Sequence, residues 1–81
     1  MNVKTIKDII HRCSNIFSFE FNGFEGNVDP YYIPETKSYE YLLFFNGNEQ
    51  TVNDLDLVMN TTFIDGHSLT EIADKITVTE Y

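Results

Sequence analysis

Phe17-Ser18-Phe19-Glu20-Phe21-Asn22-Gly23-Phe24-Glu25-Gly26-Asn27-Val28 decides the fold. Phenylalanine alternates with Ser18, Glu20 and Asn22 along its first half, the period-2 pattern of a half-buried strand. Asn22-Gly23 follows. Both central residues of a type I′ turn need positive φ, and Asn-Gly supplies them at the least cost. A two-residue turn there opposes Phe21 to Phe24, Glu20 to Glu25, Phe19 to Gly26 and Phe17 to Val28. Every apolar residue then falls on one face, which a one-residue slip would undo.

Upstream, Val3, Ile6, Ile10 and Cys13 recur at helical spacing, widened by Ile9. The spacing predicts a helix over residues 2–13, with Thr5 and Asp8 forming a weak cap. Downstream, residues 29–38 hold both prolines, Pro30 and Pro34, and read as an ordered loop. Residues 39–45 are the most hydrophobic stretch. Tyr39, Tyr41, Leu43 and Phe45 share one face, while Leu42 and Phe44 lie on the other. A strand apolar on both sides is expected to be central or covered twice. Asn46-Gly47 predicts a second hairpin into residues 49–52. The two hairpins share Phe-Asn-Gly-x-Glu, which hairpin physics alone produces.

Leu55, Val58 and Met59 suggest a short helix capped by Asn53 or Asp54. Residues 60–67 form a connection containing Asp65-Gly66. Ser68-Leu69-Thr70-Glu71 is a capping box, opening a helix through Ile72, Ala73 and Ile76. The tail from Thr77 alternates like a short edge strand. The expected fold is a single α+β domain over 1–81. An N-terminal helix packs on the Phe17/Phe19/Phe21 face of an antiparallel sheet of four or five strands, with two short helices near the C-terminus.

A chain of 81 residues allows one core, and 15% aromatic residues supply the bulk that a small core needs. The first 15 residues interleave Lys4, Lys7, Asp8, His11 and Arg12 with apolar residues, unlike a signal peptide. No segment approaches the roughly 20 apolar residues of a membrane span. The expectation is a soluble, cytoplasmic protein, bound to no membrane. The lone Cys13 makes no internal disulfide and no structural zinc cluster.

Nothing in the chain matches a phosphate loop, a nucleophile elbow or a paired metal motif. On a helix, His11 and Cys13 diverge by about 200° and cannot act together. His67 and Glu71, four apart, are too few for a metal site. The expected role is therefore non-enzymatic, with no catalytic residue, metal or cofactor.

The formal net charge is -8, unevenly spread. Up to Arg12, Lys4, Lys7 and Arg12 outweigh Asp8; beyond it, only Lys37 and Lys75 oppose the remaining acids. Such a body repels nucleic acid and attracts basic surfaces. Asp54, Asp56 and Glu71 have structural explanations at helix starts. Glu20 and Glu25 do not, because like charges directly opposed across a hairpin are destabilising. A solvated strand face, or an edge guarded against aggregation, is the plainer explanation. The functional one is an anionic surface in which alternate carboxylates, nearly 7 Å apart along a strand, imitate backbone phosphates. Its candidates are Glu20, Glu25, Glu40 and Glu49 on strands, Asp29 and Glu35 on the loop, and Tyr31, Tyr32 and Tyr39 as contact anchors.

Val28-Asp29-Pro30-Tyr31-Tyr32, Tyr39-Glu40-Tyr41-Leu42 and the run from Asp65 to Ala73 resemble small uncharacterised proteins of Gram-positive bacteria and their mobile elements. In size, acidity and α+β pattern the chain also resembles phage-encoded inhibitors, including anti-CRISPR proteins and uracil-DNA glycosylase inhibitors. That likeness is one of class and transfers no residue. It implies an acidic protein that occupies the nucleic-acid groove of a basic target, a Cas nuclease foremost. An acidic immunity or accessory module, whose charge only keeps it soluble, is the alternative.

Overall fold

The computed structural model describes residues 2–12 and 15–81. Helix α1 (Val3–Arg12) leads into strands β1 (Phe17–Phe21), β2 (Phe24–Ile33), β3 (Ser38–Phe45) and β4 (Asn48–Val52). Helices α2 (Leu55–Asn60) and α3 (Leu69–Ile72) and strand β5 (Thr77–Glu80) complete the chain. The strands form one antiparallel sheet in the order β4-β3-β2-β1-β5. The tail is thus a fifth strand, paired to β1. The α+β class, the N-terminal helix, the hairpins and the short C-terminal helices all stand as the sequence predicts.

The first hairpin has the expected register, from Phe17 opposite Val28 to Phe21 opposite Phe24. Asn22 and Gly23 take φ of 53° and 82°, and Asn46 and Gly47 take 47° and 87°, as type I′ turns require. A third such turn was not foreseen. Asp65 and Gly66, at 52° and 81°, bring Ile64 and His67 into reciprocal backbone hydrogen bonds of 2.9 Å.

The segment expected to be a loop is strand. β2 continues through Pro30 to Ile33, β3 begins at Ser38, and only the turn at 34–37 is loop. Ladder geometry explains why Pro30 is tolerated. The tight turn makes Phe21 and Phe24 a hydrogen-bonded pair, so Gly26, Val28 and then Pro30 also face their amides toward β1. Pairing with β1 ends at Phe17 opposite Val28. The Pro30 nitrogen therefore meets no acceptor, and its missing N–H breaks no ladder bond. Across the other edge Pro30 still pairs with Tyr41 of β3.

One face of the sheet carries the core. Phe17, Phe19, Phe21, Val28, Tyr41, Leu43 and Phe45 meet Ile6 and Ile10 of α1, Val58 and Met59 of α2, and Leu69 and Ile72 of α3. Phe63, Ile64, Ala73 and Ile76, from the connections, close the cluster. Burying a side chain such as Phe17 or Phe19 stabilises by about 1.5–3 kcal/mol, and both are fully buried.

Helix ends differ in detail from the sequence reading. Asn2, not Thr5, caps α1: its Oδ1 accepts from the Thr5 amide at 2.8 Å. Asp54 caps α2 through the Leu57 amide. The Ser68–Glu71 capping box is present, but α3 stops at Ile72, leaving Ile76 buried outside the helix. Cys13, expected on the α1 stripe, lies outside the described residues.

Candidate functional site

Helices α1, α2 and α3 all pack on one side, so among the described residues nothing forms a second layer on the opposite side of the sheet. Side-chain alternation decides what stands there. One row crosses every strand: Glu49 of β4, Phe44 of β3, Asn27 of β2, Ser18 of β1 and Glu80 of β5. At five strands and about 4.8 Å per step, it is about 19 Å wide. The neighbouring rows are Glu25, Glu20 and Thr77 on one side, and Thr51, Leu42 and Asp29 on the other. Glu40 and Tyr31 form the next.

Six carboxylates therefore share this face: Glu20, Glu25, Asp29, Glu40, Glu49 and Glu80. None of the protein's five Lys and Arg residues stands on a strand. Lys4, Lys7 and Arg12 are in α1, Lys37 is in the turn after β2, and Lys75 follows α3. Lys7 is engaged on the helical side, 2.7 Å from Asp56, and that partner raises its pKa. The domain thus has an uncovered anionic sheet face and a helical side holding most of its cations.

The spacing along strands departs from the sequence reading. No two carboxylates on this face occupy alternate positions of one strand. Asn27 separates Glu25 from Asp29, so these two lie about 14 Å apart along β2. The close relations run across strands instead. Glu20 faces Glu25 directly, at about 5 Å between Cβ atoms. Glu49 faces Phe44, and Asp29 faces Leu42.

Of the two expectations for a strand apolar on both sides, central or covered twice, β3 meets the first. It is interior to the sheet, but Leu42 and Phe44 are half-buried by their neighbours and by no second layer. Tyr31 extends the apolar strip. Its hydroxyl donates to Glu40 Oε1 at 2.8 Å, and that bond raises its pKa. Tyr31 of β2 and Leu42 of β3 are diagonal neighbours on this face.

The remaining candidates are elsewhere. Tyr32 and Tyr39 oppose each other on the helix-side face, at the far end of the β2–β3 hairpin and beyond the core. Their rings meet edge-on at 5.3 Å, and each is about half exposed. Glu35 sits in the turn at 34–37, beyond Ile33, which is itself about 27 Å along β2 from Glu25. The structure brings Glu20, Glu25, Asp29, Tyr31, Glu40 and Glu49 onto one face and leaves Tyr32, Tyr39 and Glu35 off it. Sequence reasoning missed Glu80, whose face follows only from its pairing with Ser18 across an irregularity in β5.

His67 lies against Phe21, with ring centroids 6.1 Å apart, and its Nδ1 is 3.5 Å from Glu71 Oε2. Glu71 also accepts from the Ser68 amide at 3.1 Å. That backbone bond, with His67 second, holds its carboxyl below the usual value. The arrangement closes a helix start. Among the described residues no group of three His, Cys, Asp or Glu side chains is placed to hold a metal ion. No described helix is long and apolar enough to cross a membrane. No family model, curated protein or solved structure matches this chain.

Proposed function

We propose that this domain is a non-enzymatic inhibitor that binds a basic, nucleic-acid-handling protein through the uncovered face of its sheet. The observation that carries this reading is the segregation of charge: six carboxylates and no Lys or Arg on a face that no helix covers. Such a face raises the local concentration of a cationic partner and rejects nucleic acid itself. The target's groove would otherwise hold DNA or RNA, and the domain occupies it by charge. The anti-CRISPR-like class, a phage or mobile-element origin and a cytoplasmic setting in a bacterial host belong to the same reading. No cofactor takes part.

The test is direct competition. A guide-loaded Cas nuclease and a uracil-DNA glycosylase are each given fluorescent DNA, and the domain is titrated in at low and high salt. Displacement of DNA from one of them, weakening as salt rises, is the expected result. Retention of DNA by both at low salt and excess inhibitor would contradict it.

A second reading, an acidic immunity or accessory module, is favoured by one observation. The Tyr32–Tyr39 pair is exposed on the other face, where aromatic anchors suit a protein contact independent of the acids. A partner lost on Tyr32→Ala and indifferent to salt would support it.

A further inference from the structure

We propose that the partner engages this face through arginine side chains, whose guanidinium planes lie on Phe44 and Leu42 and whose charges meet the surrounding carboxylates. The inference rests on the binding reading above and names the chemistry of its partner. It is carried by the apolar strip rather than by the acids. Leu42 and Phe44 stand two apart along β3 on the uncovered side, and Tyr31 of β2 is the diagonal neighbour of Leu42. Around Phe44, Glu49 is the direct cross-strand neighbour, and Glu25 and Asp29 flank its β2 partner Asn27 as diagonal neighbours, within about 7–8 Å. Around Leu42, Asp29 is directly opposite and Glu49 is diagonal. Glu40 is held toward Tyr31 by the 2.8 Å hydrogen bond.

A surface that imitated phosphates by charge alone would need regular carboxylates and no apolar centre. This face has the reverse: irregular carboxylates around half-buried apolar side chains. A compact ammonium, strongly hydrated, gains little from such a centre. A guanidinium is planar and weakly hydrated, stacks on an aromatic ring and pairs in-plane with carboxylates at the rim. Its aliphatic stem covers Leu42 as it reaches inward. The face is thus complementary in both charge and polarity to an arginine-bearing protein surface.

Decapeptides of arginine and of lysine, equal in length and charge, serve as probes for the intact protein. Affinities are read by calorimetry and the site by NMR. Arginine should bind about two- to fivefold more tightly, the ratio that one exposed ring contact of this kind supplies. Both peptides should move the signals of Leu42, Phe44 and Tyr31. Phe44→Leu keeps the apolar bulk and removes the ring, so it should bring the ratio close to one with lysine affinity unchanged. Equal affinities for the two peptides, or a ratio that survives Phe44→Leu, would overturn the inference while leaving the anionic face as a binding site. Binding of neither peptide would overturn both. Should Phe44→Leu not fold, the wild-type spectra decide: larger shifts of the Phe44 ring with arginine support the contact, and equal shifts refute it.

Discussion

The ring of Phe19 occupies the space in which a side chain at Gly26 would stand. The two residues are directly opposed on β1 and β2, and a Cβ at position 26 would lie 2.5 Å from Phe19 Cζ and 3.0 Å from Phe45 Cδ1. Phe19 is fully buried and stacks with Phe45 at 6.4 Å. Phe19 also packs against Phe17 and Phe63, so a methyl at position 26 would have to displace a ring held in the core, and the glycine lets three strands share one aromatic layer. Gly26→Ala should therefore destabilise the fold by about 1–3 kcal/mol, the range for overpacking a core. Urea unfolding measures it, and an unchanged midpoint would mean that the layer is looser than described.

Gly23 tests the turn without the packing. Nothing lies within 4 Å of a Cβ built there, yet its φ is +82°. Gly23→Val should cost about 1–2 kcal/mol through the backbone alone, and Gly23→Asn should cost less, since asparagine tolerates this conformation. Equal stabilities of the two variants would contradict the type I′ turn.

The Ser68–Glu71 box predicts an acid dependence. Glu71 is held below its ordinary 4.5 in the folded state. A carboxyl of that kind stabilises the fold above the unfolded value, and the contribution is lost as pH falls through the folded one. The stability gap between wild type and Glu71→Gln should thus be widest above pH 4.5 and close in more acid solution. Ser68→Ala, which removes the other half of the box, should cost about 1 kcal/mol. Thermal melts across pH check both, and a gap that widens in acid would reverse the sign.

Much of this fold was legible in the sequence. The phenylalanine alternation with Asn22-Gly23 determined a register, because only one pairing puts every ring on one side. The Ser68–Glu71 spacing likewise named a helix start. The extension of β2 was hidden by Pro30, which reads as a breaker until the missing pairing partner beyond Phe17 is known. The site was legible in part. Glu20 and Glu25 stood out as an unexplained like-charge pair, whereas Glu80 joined the face only through a long-range pairing. Local pattern also marked Leu42 and Phe44 as apolar, but it carries no information on whether another layer covers them.

Glu20 and Glu25 separate solvation from function at the level of stability. Their mutual repulsion is all that their pairing contributes to the fold. Glu20→Gln with Glu25→Gln should leave stability unchanged or raise it by a few tenths of a kcal/mol. A loss of about 1 kcal/mol or more, read by urea unfolding, would show that these side chains support the hairpin.

Binding of a basic protein by the uncovered sheet face should be lost when the charge of that face is reversed. Glu20→Lys with Glu25→Lys is first shown to fold, then measured for association with the nuclease or glycosylase whose DNA the wild-type domain displaces. The association rate should fall strongly at low salt, and the difference from wild type should shrink as salt rises, because long-range steering is screened first. An unchanged association rate and affinity at low salt would exclude this face from the interface.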